Sequence, residues 1–199
     1  MSQFWDDRYS AKEYVFGEKP NIFFAEQLDT LTPGTIVLAC EGEGRNAVYA
    51  ASKGWRVLAF DSSEAGRAKA MELAKKHGVT FEYAIADVNA ISYPEQSVDV
   101  VAFVYAHFPP EYRGAIHKRA VSWLKPGGRI ILEAFTPRQL GNTSGGPKDA
   151  DRLYTEELLT SDFVDLKTEL METRRLELTE GKGHEGAADI IRFAGSKQK

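Results

Sequence analysis

The residues best placed to do chemistry fall at three points where an apolar run gives way to polar residues. The first is CEGEGRN, residues 40–46, in which Glu41, Gly42, Gly44, Arg45 and Asn46 follow an apolar run directly. Glycines there let the backbone turn tightly and approach a ligand, and a helix starting beyond them offers free N–H groups. The second is Asp61, nineteen residues after Gly42, with Ser62 next to it. A carboxylate accepts two hydrogen bonds from a diol, and this is close to the spacing at which an acid meets a ribose. The third is Asp87 with Val88, where a carboxylate or the adjoining backbone can meet an adenine amino group. Each has a plainer reading: a tight turn for the glycines, a helix cap for Asp61, the start of a polar loop for Asp87. Their succession at three strand ends points to a ligand that contains adenosine.

The elements that must position them alternate. From Thr35 to Glu133 short β-branched runs and helical patterns succeed each other, the signature of parallel βαβ units. TIVLAC (35–40), WRVLAF (55–60), VTFEYAIA (79–86), VDVVAFVYA (98–106) and RIILEAF (129–135) read as strands, the first nearly continuous in apolar residues, as for a strand covered on both faces. Arg45 to Lys53 reads as a helix stopped by Gly54. Ser62 or Ser63 caps the next, with Glu64 in its first turn, Ala65, Ala68, Met71 and Ala74 as its buried stripe and Gly78 just past its end. A further helix starts at Pro110, with Tyr112, Ala115, Ile116, Ala120, Trp123 and Leu124 as core contacts, and LKPGG (124–128) ends it. Thr136 to Ala150 is a Gly- and Pro-rich loop of the length that usually has a function or is disordered. A short helix is expected over Thr155–Ser161, a strand or bent strand pair over Val164–Leu178, and a last strand over AADIIRFAG (187–195), after the turn EGKGHEG (180–186). No crossover helix separates those last strands, so the final one should run antiparallel to the sheet.

Composition narrows the function. With 199 residues, 43% hydrophobic and 27% charged, the chain is most simply one soluble domain. A formal net charge of −4 and the lack of a basic stripe argue against nucleic acid as a partner. No segment is apolar and long enough to span a bilayer, the N-terminus has no signal-peptide core, and the lone Cys40 suits a reducing compartment, so a cytoplasmic protein is expected. His77, His107, His117 and His184 have no metal-ligand spacing. The aromatic N-terminal segment Phe4–Phe16 reads either as a lid over the ligand or as a terminal helix on the sheet edge.

GEGRNA matches the dinucleotide pattern G-x-G-x-x-A, which keeps a nicotinamide-dependent oxidoreductase open. Two features favour S-adenosylmethionine instead: some 34 aromatic-rich residues precede the first strand, and the chain ends in a strand pair. In VFGEKPNIFF (15–24), EGEGRNAVYAA (41–51), VLAFDSSEAGRAKAMELA (57–74), LKPGGRIILEAF (124–135) and EGKGHEG (180–186) the chain resembles the class I S-adenosylmethionine-dependent methyltransferases. It looks most like the small bacterial enzymes related to the tellurite-resistance methyltransferase and, more distantly, thiopurine methyltransferase. The resemblance implies an α/β, Rossmann-like three-layer sandwich, with a seven-stranded, mostly parallel sheet of order 3-2-1-4-5-7-6 whose last strand is antiparallel. Within it, residues 1–34 would form a lid segment, 35–135 the cofactor core and 136–199 the substrate loop and strand pair.

By that resemblance Gly42 and Gly44 line the methionine and ribose of S-adenosylmethionine, Asp61 with Ser62 holds the ribose hydroxyls, Asp87 and Val88 flank the adenine, and Arg45 and Asn46 stand beside the loop. The family's acid, spacer and glycine before the last two glycines are here Leu38, Ala39 and Cys40. Glu41 would take over the acidic role near the methionine amino group, and Cys40 would crowd the turn. On the acceptor side, VYAHFPPEYR (104–113) lacks the Asn- or Asp-Pro-Pro-aromatic pattern of nucleobase amino methylation. His107, Arg113 and His184 are the candidate catalytic residues. Their plainer readings are a histidine bonded to loop backbone, a helix-surface arginine and an exposed turn histidine. The expected activity is methyl transfer to a small molecule, a thiol or chalcogen oxyanion among the candidates, by a monomer or homodimer. A protein that binds the cofactor without transferring the methyl is the other alternative.

Overall fold

The computed structural model describes residues 2–198. Five parallel strands, β1 (Thr35–Ala39), β2 (Arg56–Asp61), β3 (Glu82–Ile85), β4 (Val98–Val104) and β5 (Leu124–Phe135), are joined to β6 (Leu166–Thr179) and β7 (Glu185–Lys197) in one sheet of order β3-β2-β1-β4-β5-β7-β6. β7 lies antiparallel to both neighbours, with Leu132 opposite Phe193 on one side and Thr173 opposite Ile191 on the other. Order and direction are those expected.

Among the described residues six α-helices flank the sheet or one another: α1 (Ser2–Tyr9), α2 (Ile22–Leu28), α3 (Arg45–Ser52), α4 (Glu64–His77), α5 (Pro110–Trp123) and α6 (Glu156–Asp162). On one face Ile36, Leu38, Val57 and Ile131 meet Phe23, Phe24 and Leu28 of α2, Ala47 of α3 and Ala70 of α4. On the other, Val37, Val101, Phe103, Leu132 and Phe193 meet Ile116 and Ala120 of α5 and Phe163 beyond α6. Three layers result, with the central strands β1 and β4 buried on both faces and the edge strands β3 and β6 largely exposed. Among the described residues no helix is long and apolar enough to cross a membrane.

The caps follow from side-chain chemistry. Ser63, and not Ser62, caps α4, its Oγ accepting from Gly66 N at 3.0 Å, and Gly78 ends the helix at φ +67°. Thr155 caps α6. Helix α2 has no counterpart among the sequence-based expectations: Asn21 starts it, its Oδ1 accepting from Phe24 N at 2.9 Å.

Two expected helix faces are corrected. The buried residues of α4 are Gly66, Ala70, Leu73 and Ala74, whereas Ala68 and Met71 face outward. On α5 Tyr112 and Ala115 are exposed, with Ile116, His117, Ala120, Val121 and Trp123 buried. LKPGG also belongs to β5, with Leu124 already opposite Val98. Helix α1 lies against α4, not on the sheet edge, where Asp6 accepts hydrogen bonds from Ser63 Oγ and Ala65 N.

Candidate active site

Strand order reverses between β1 and β4, and in open α/β sheets the crevice beyond such a reversal is where ligands bind. A cavity of about 760 Å³ lies there. At the first loop its wall is built by Cys40, Glu41, Glu43, Arg45 and Asn46. Gly42 and Gly44, expected to line it, stand behind that wall. A Cβ on Gly42 would lie 2.6 Å from Tyr9 Oη, and one on Gly44 would lie 2.5 Å from Ala70 Cβ. These glycines therefore admit α1 and α4 against the loop. Cys40 turns into the left-handed region at φ +55°, so the loop keeps the turn that glycine usually makes there.

Two buried carboxylates face this end of the cavity. Glu41 Oε1 accepts from Ala47 N at 2.7 Å and Oε2 from Asn46 Nδ2 at 3.5 Å, so the carboxylate fills the α3 N-terminus. Burial raises its pKa to about 7 against those bonds. Asp61 accepts from Gly42 N and Ser63 N, each at 3.0 Å, and burial raises its pKa as well. Neither acid has an ion-pair partner among the described residues. Ser62, Asp87 and Val88 line the same cavity. Asp87 is exposed, its Oδ1 accepting from Asn89 N at 2.7 Å, and the Val88 carbonyl accepts from Arg119.

The roof comes from the N-terminus. Trp5 stacks on Tyr9 at 5.4 Å, and Phe4, Trp5, Arg8 and Tyr9 of α1 all face the cavity. Next, Glu43 Oε2 accepts from Val15 N at 2.8 Å, Arg45 Nη1 donates to the Phe16 carbonyl at 2.9 Å, and Gly183 N donates to the Val15 carbonyl at 2.8 Å. The glycine loop and the β6–β7 turn thus grip the same strap, residues 15–17.

The far end of the cavity is aromatic, with Phe16, Tyr105, Phe108, Tyr112 and Phe135 around His107 and His184. His107 Nδ1 donates to the Arg152 carbonyl at 2.8 Å, and its Nε2 accepts from Phe135 N at 3.2 Å. Burial lowers its pKa to about 4. The ring fastens backbone and has no nitrogen left for a proton from an acceptor, which corrects the catalytic expectation. Arg113 is corrected too: it lies outside the cavity wall, its Nε 2.7 Å from Asp162 Oδ2, tying α5 to α6. His184 is buried, not exposed, and its Nδ1 lies 3.1 Å from Glu180 Oε2.

A network the sequence did not reveal supports this end. Tyr105, at φ +54°, donates from its hydroxyl to Glu133 Oε1 at 2.8 Å. Glu133 also accepts from Asn21 Nδ2 at 2.6 Å and Arg192 Nε at 2.6 Å. Arg45 Nη2 reaches Glu180 Oε2 at 3.1 Å. Glu133 and Arg192 carry a faint signal, as charges inside apolar strand runs, whereas nothing local marks Tyr105.

Comparison with known proteins gives this geometry a context. A family model described as a methyltransferase domain matches residues 36–128. The 2-methyl-6-phytyl-1,4-hydroquinone methyltransferase of Synechocystis is 34% identical over 115 residues, 56% of this chain and 35% of that protein, so the match spans about a third of that relative. A structure reported for conversion of a disulfide bond into a thioacetal group during echinomycin biosynthesis superposes with a TM-score of 0.82 at 15% identity, covering 100% of this chain and 92% of the other. TehB from Haemophilus influenzae superposes with a TM-score of 0.72 at 18% identity, covering 99% and 67%.

Proposed function

We propose that this chain, a class I S-adenosylmethionine-dependent methyltransferase, methylates a small acceptor held at the aromatic end of its cavity, a thiol or another soft chalcogen nucleophile such as a chalcogen oxyanion. The observation that carries this reading is one cavity joining two buried, unpaired carboxylates at the ends of β1 and β2 to a chamber of aromatic rings. S-adenosylmethionine supplies a methyl group on a sulfonium, displaced in line by the acceptor, so the protein mainly has to align the two and exclude water.

The residues fit that donor. It is cationic at its sulfonium and ammonium, and a cation facing Glu41 and Asp61 relieves the burial that lifts both pKa values. Asp61 would hold the ribose diol, Glu41 the amino group, and Asp87 with Val88 the adenine edge. Arg45 and Asn46 brace the loop. The aromatic rings of Tyr9, Phe16 and Tyr105 line the cavity, and aromatic walls suit a cation. A dinucleotide would instead place its pyrophosphate at the N-terminus of α3, and the Glu41 carboxylate already occupies those N–H groups. Soft acceptors suit a chamber in which His107 is spent on backbone and no carboxylate stands free among the rings.

The same reading makes the chain one functional domain, cytoplasmic, monomeric or homodimeric, acting on a small molecule and not on nucleic acid or a membrane surface. Calorimetric titration with S-adenosylhomocysteine, run beside NAD, tests it. Micromolar binding of the first is expected, weakened tenfold or more by Asp61→Ala (about 1.4 kcal/mol), followed by methyl transfer to members of a thiol and chalcogen-oxyanion panel. Binding of NAD alone would overturn it. Binding of S-adenosylhomocysteine without turnover on any thiol, amine or oxyanion would make the protein a cofactor binder.

A further inference from the structure

We infer that Glu180 is a positioning residue: its carboxylate fixes the His184 imidazole so that Nε2 offers a lone pair to the acceptor, which is therefore a molecule that loses a proton on methylation, a thiol. The inference rests on the methyltransferase reading of the cavity and narrows it, because an acceptor that arrives already ionised needs no such group.

The geometry fixes the tautomer. An ionised carboxylate only accepts hydrogen bonds, so with Nδ1 at 3.1 Å from Glu180 Oε2 the neutral ring carries its proton on Nδ1. Among the described residues Nε2 has no hydrogen-bond partner, and the ring lines the cavity. It cannot swing away: Phe16 lies 4.4 Å from it between ring centres, Tyr105 4.3 Å and Phe135 5.5 Å. The backbone locks the pair, since Glu180 N donates to the His184 carbonyl at 3.0 Å and His184 N to the Gly181 carbonyl at 2.9 Å.

Glu180 is itself held ionised. Arg45 Nη2 stands 3.1 Å from Oε2 and Asn21 Nδ2 3.4 Å from Oε1, and Arg45 with His184 keeps the pKa below the usual carboxylate value despite burial. Around the imidazole, Arg45 on α3 and Arg8 on α1 oppose a positive charge and Glu180 favours it. Tyr105 at the end of β4 keeps its phenol neutral, and His107 is neutral at physiological pH. Burial leaves His184 neutral and so able to accept.

In the step proposed, the proton of the acceptor's S–H passes to Nε2 as the bond from sulfur to the methyl carbon forms and that carbon's bond to the donor sulfonium breaks. The imidazolium, held against Glu180, then loses the proton to water. Because Arg45 comes from the glycine-loop helix, the donor side and the proton acceptor share one buried ion pair.

The test uses the full chain. Nitrogen-15 shifts of His184 should show a protonated Nδ1 and an unprotonated Nε2, with or without S-adenosylhomocysteine. Glu180→Ala should mix the tautomers, and Glu180→Gln, whose amide oxygen still accepts from Nδ1, should keep them. Transfer to 2-mercaptoethanol should fall about 100-fold or more in Glu180→Ala, and transfer to thiophenol, largely ionised at neutral pH, less than about tenfold. If the alanine variant does not fold, the glutamine variant decides: without the carboxylate charge, the rise of turnover with pH should move to lower pH. An Nε2–H tautomer in the native protein, equal losses for both thiols, or an unmoved pH profile in Glu180→Gln would overturn the inference. Failure of the underlying reading looks different, because S-adenosylhomocysteine would then not bind whatever the tautomer.

Discussion

Gly44→Ala separates two reasons for a glycine in the loop after β1, ligand approach and helix packing. Gly44 caps α3 with φ +86° and ψ 11°, and a Cβ there would stand 2.5 Å from Ala70 Cβ and 2.8 Å from Ala70 Cα. Carbon atoms in contact normally sit about 3.5–4.0 Å apart, so α3 would have to retreat from α4 by roughly 1 Å. Overpacking of this kind costs about 1–3 kcal/mol and the left-handed conformation about 1–2 kcal/mol. Stiffening of the unfolded chain returns about 0.4–1 kcal/mol. The expected net loss is about 1–5 kcal/mol, a large share of the roughly 5–15 kcal/mol that holds a typical domain.

The assay is urea denaturation of the two single variants and the double variant Gly44→Ala/Ala70→Gly. Ala70→Gly alone should cost about 1 kcal/mol or more, as glycine inside a helix. In the double variant the Cβ–Cβ clash is gone while the backbone strain and the approach to Ala70 Cα persist. The two substitutions should therefore couple favourably by about 1–2 kcal/mol. Strict additivity, or a Gly44→Ala loss below about 0.5 kcal/mol, would refute the packing account. Loss of S-adenosylhomocysteine binding with stability intact would return Gly44 to the cavity wall.

Two further perturbations probe the buried acids and the histidines. Burial lifts Glu41 to about 7, so folding favours its protonated form; that contribution is full below the unfolded carboxylate range and is lost as pH rises through about 7. Glu41→Gln should therefore flatten the decline of stability between pH 5 and 8, worth about 3 kcal/mol for a shift of this size, as read by chemical denaturation at several pH values. Native binding of S-adenosylhomocysteine should strengthen over the same range, while the variant's should not. His107→Phe orphans the Phe135 N–H and the Arg152 carbonyl and should cost about 1–3 kcal/mol per group left dry. It should leave the shape of the pH–rate profile unchanged, and a lost limb in that profile would restore His107 as a proton carrier.

The parallel core and the antiparallel β7 are legible in sequence because their signals are local. TIVLA needs only its own apolar run to be a covered strand, and the missing crossover before β7 dictates its direction. The α4 face misleads because alanines sit on both sides of the helix and one close approach, Gly66 beneath the Gly42 carbonyl, carries no hydrophobic signal. The site divides in the same way. Glu41, Asp61 and Asp87 follow strand ends, so period and spacing find the end of the cavity beyond β1, β2 and β3. The aromatic end hangs on meetings such as Arg45 with Glu180 and Asn21 with Glu133, more than a hundred residues apart in the chain. No window of sequence holds both partners, so His107 and Arg113 could be named as catalytic candidates but not seen to be spent on Arg152, Phe135 and Asp162. His184 differs from His107 in that its Nδ1 meets a carboxylate four residues before it, while its Nε2 has no partner among the described residues and its ring lines the cavity. What a histidine can do in this fold is decided by its second nitrogen, and only the folded chain determines where that nitrogen points.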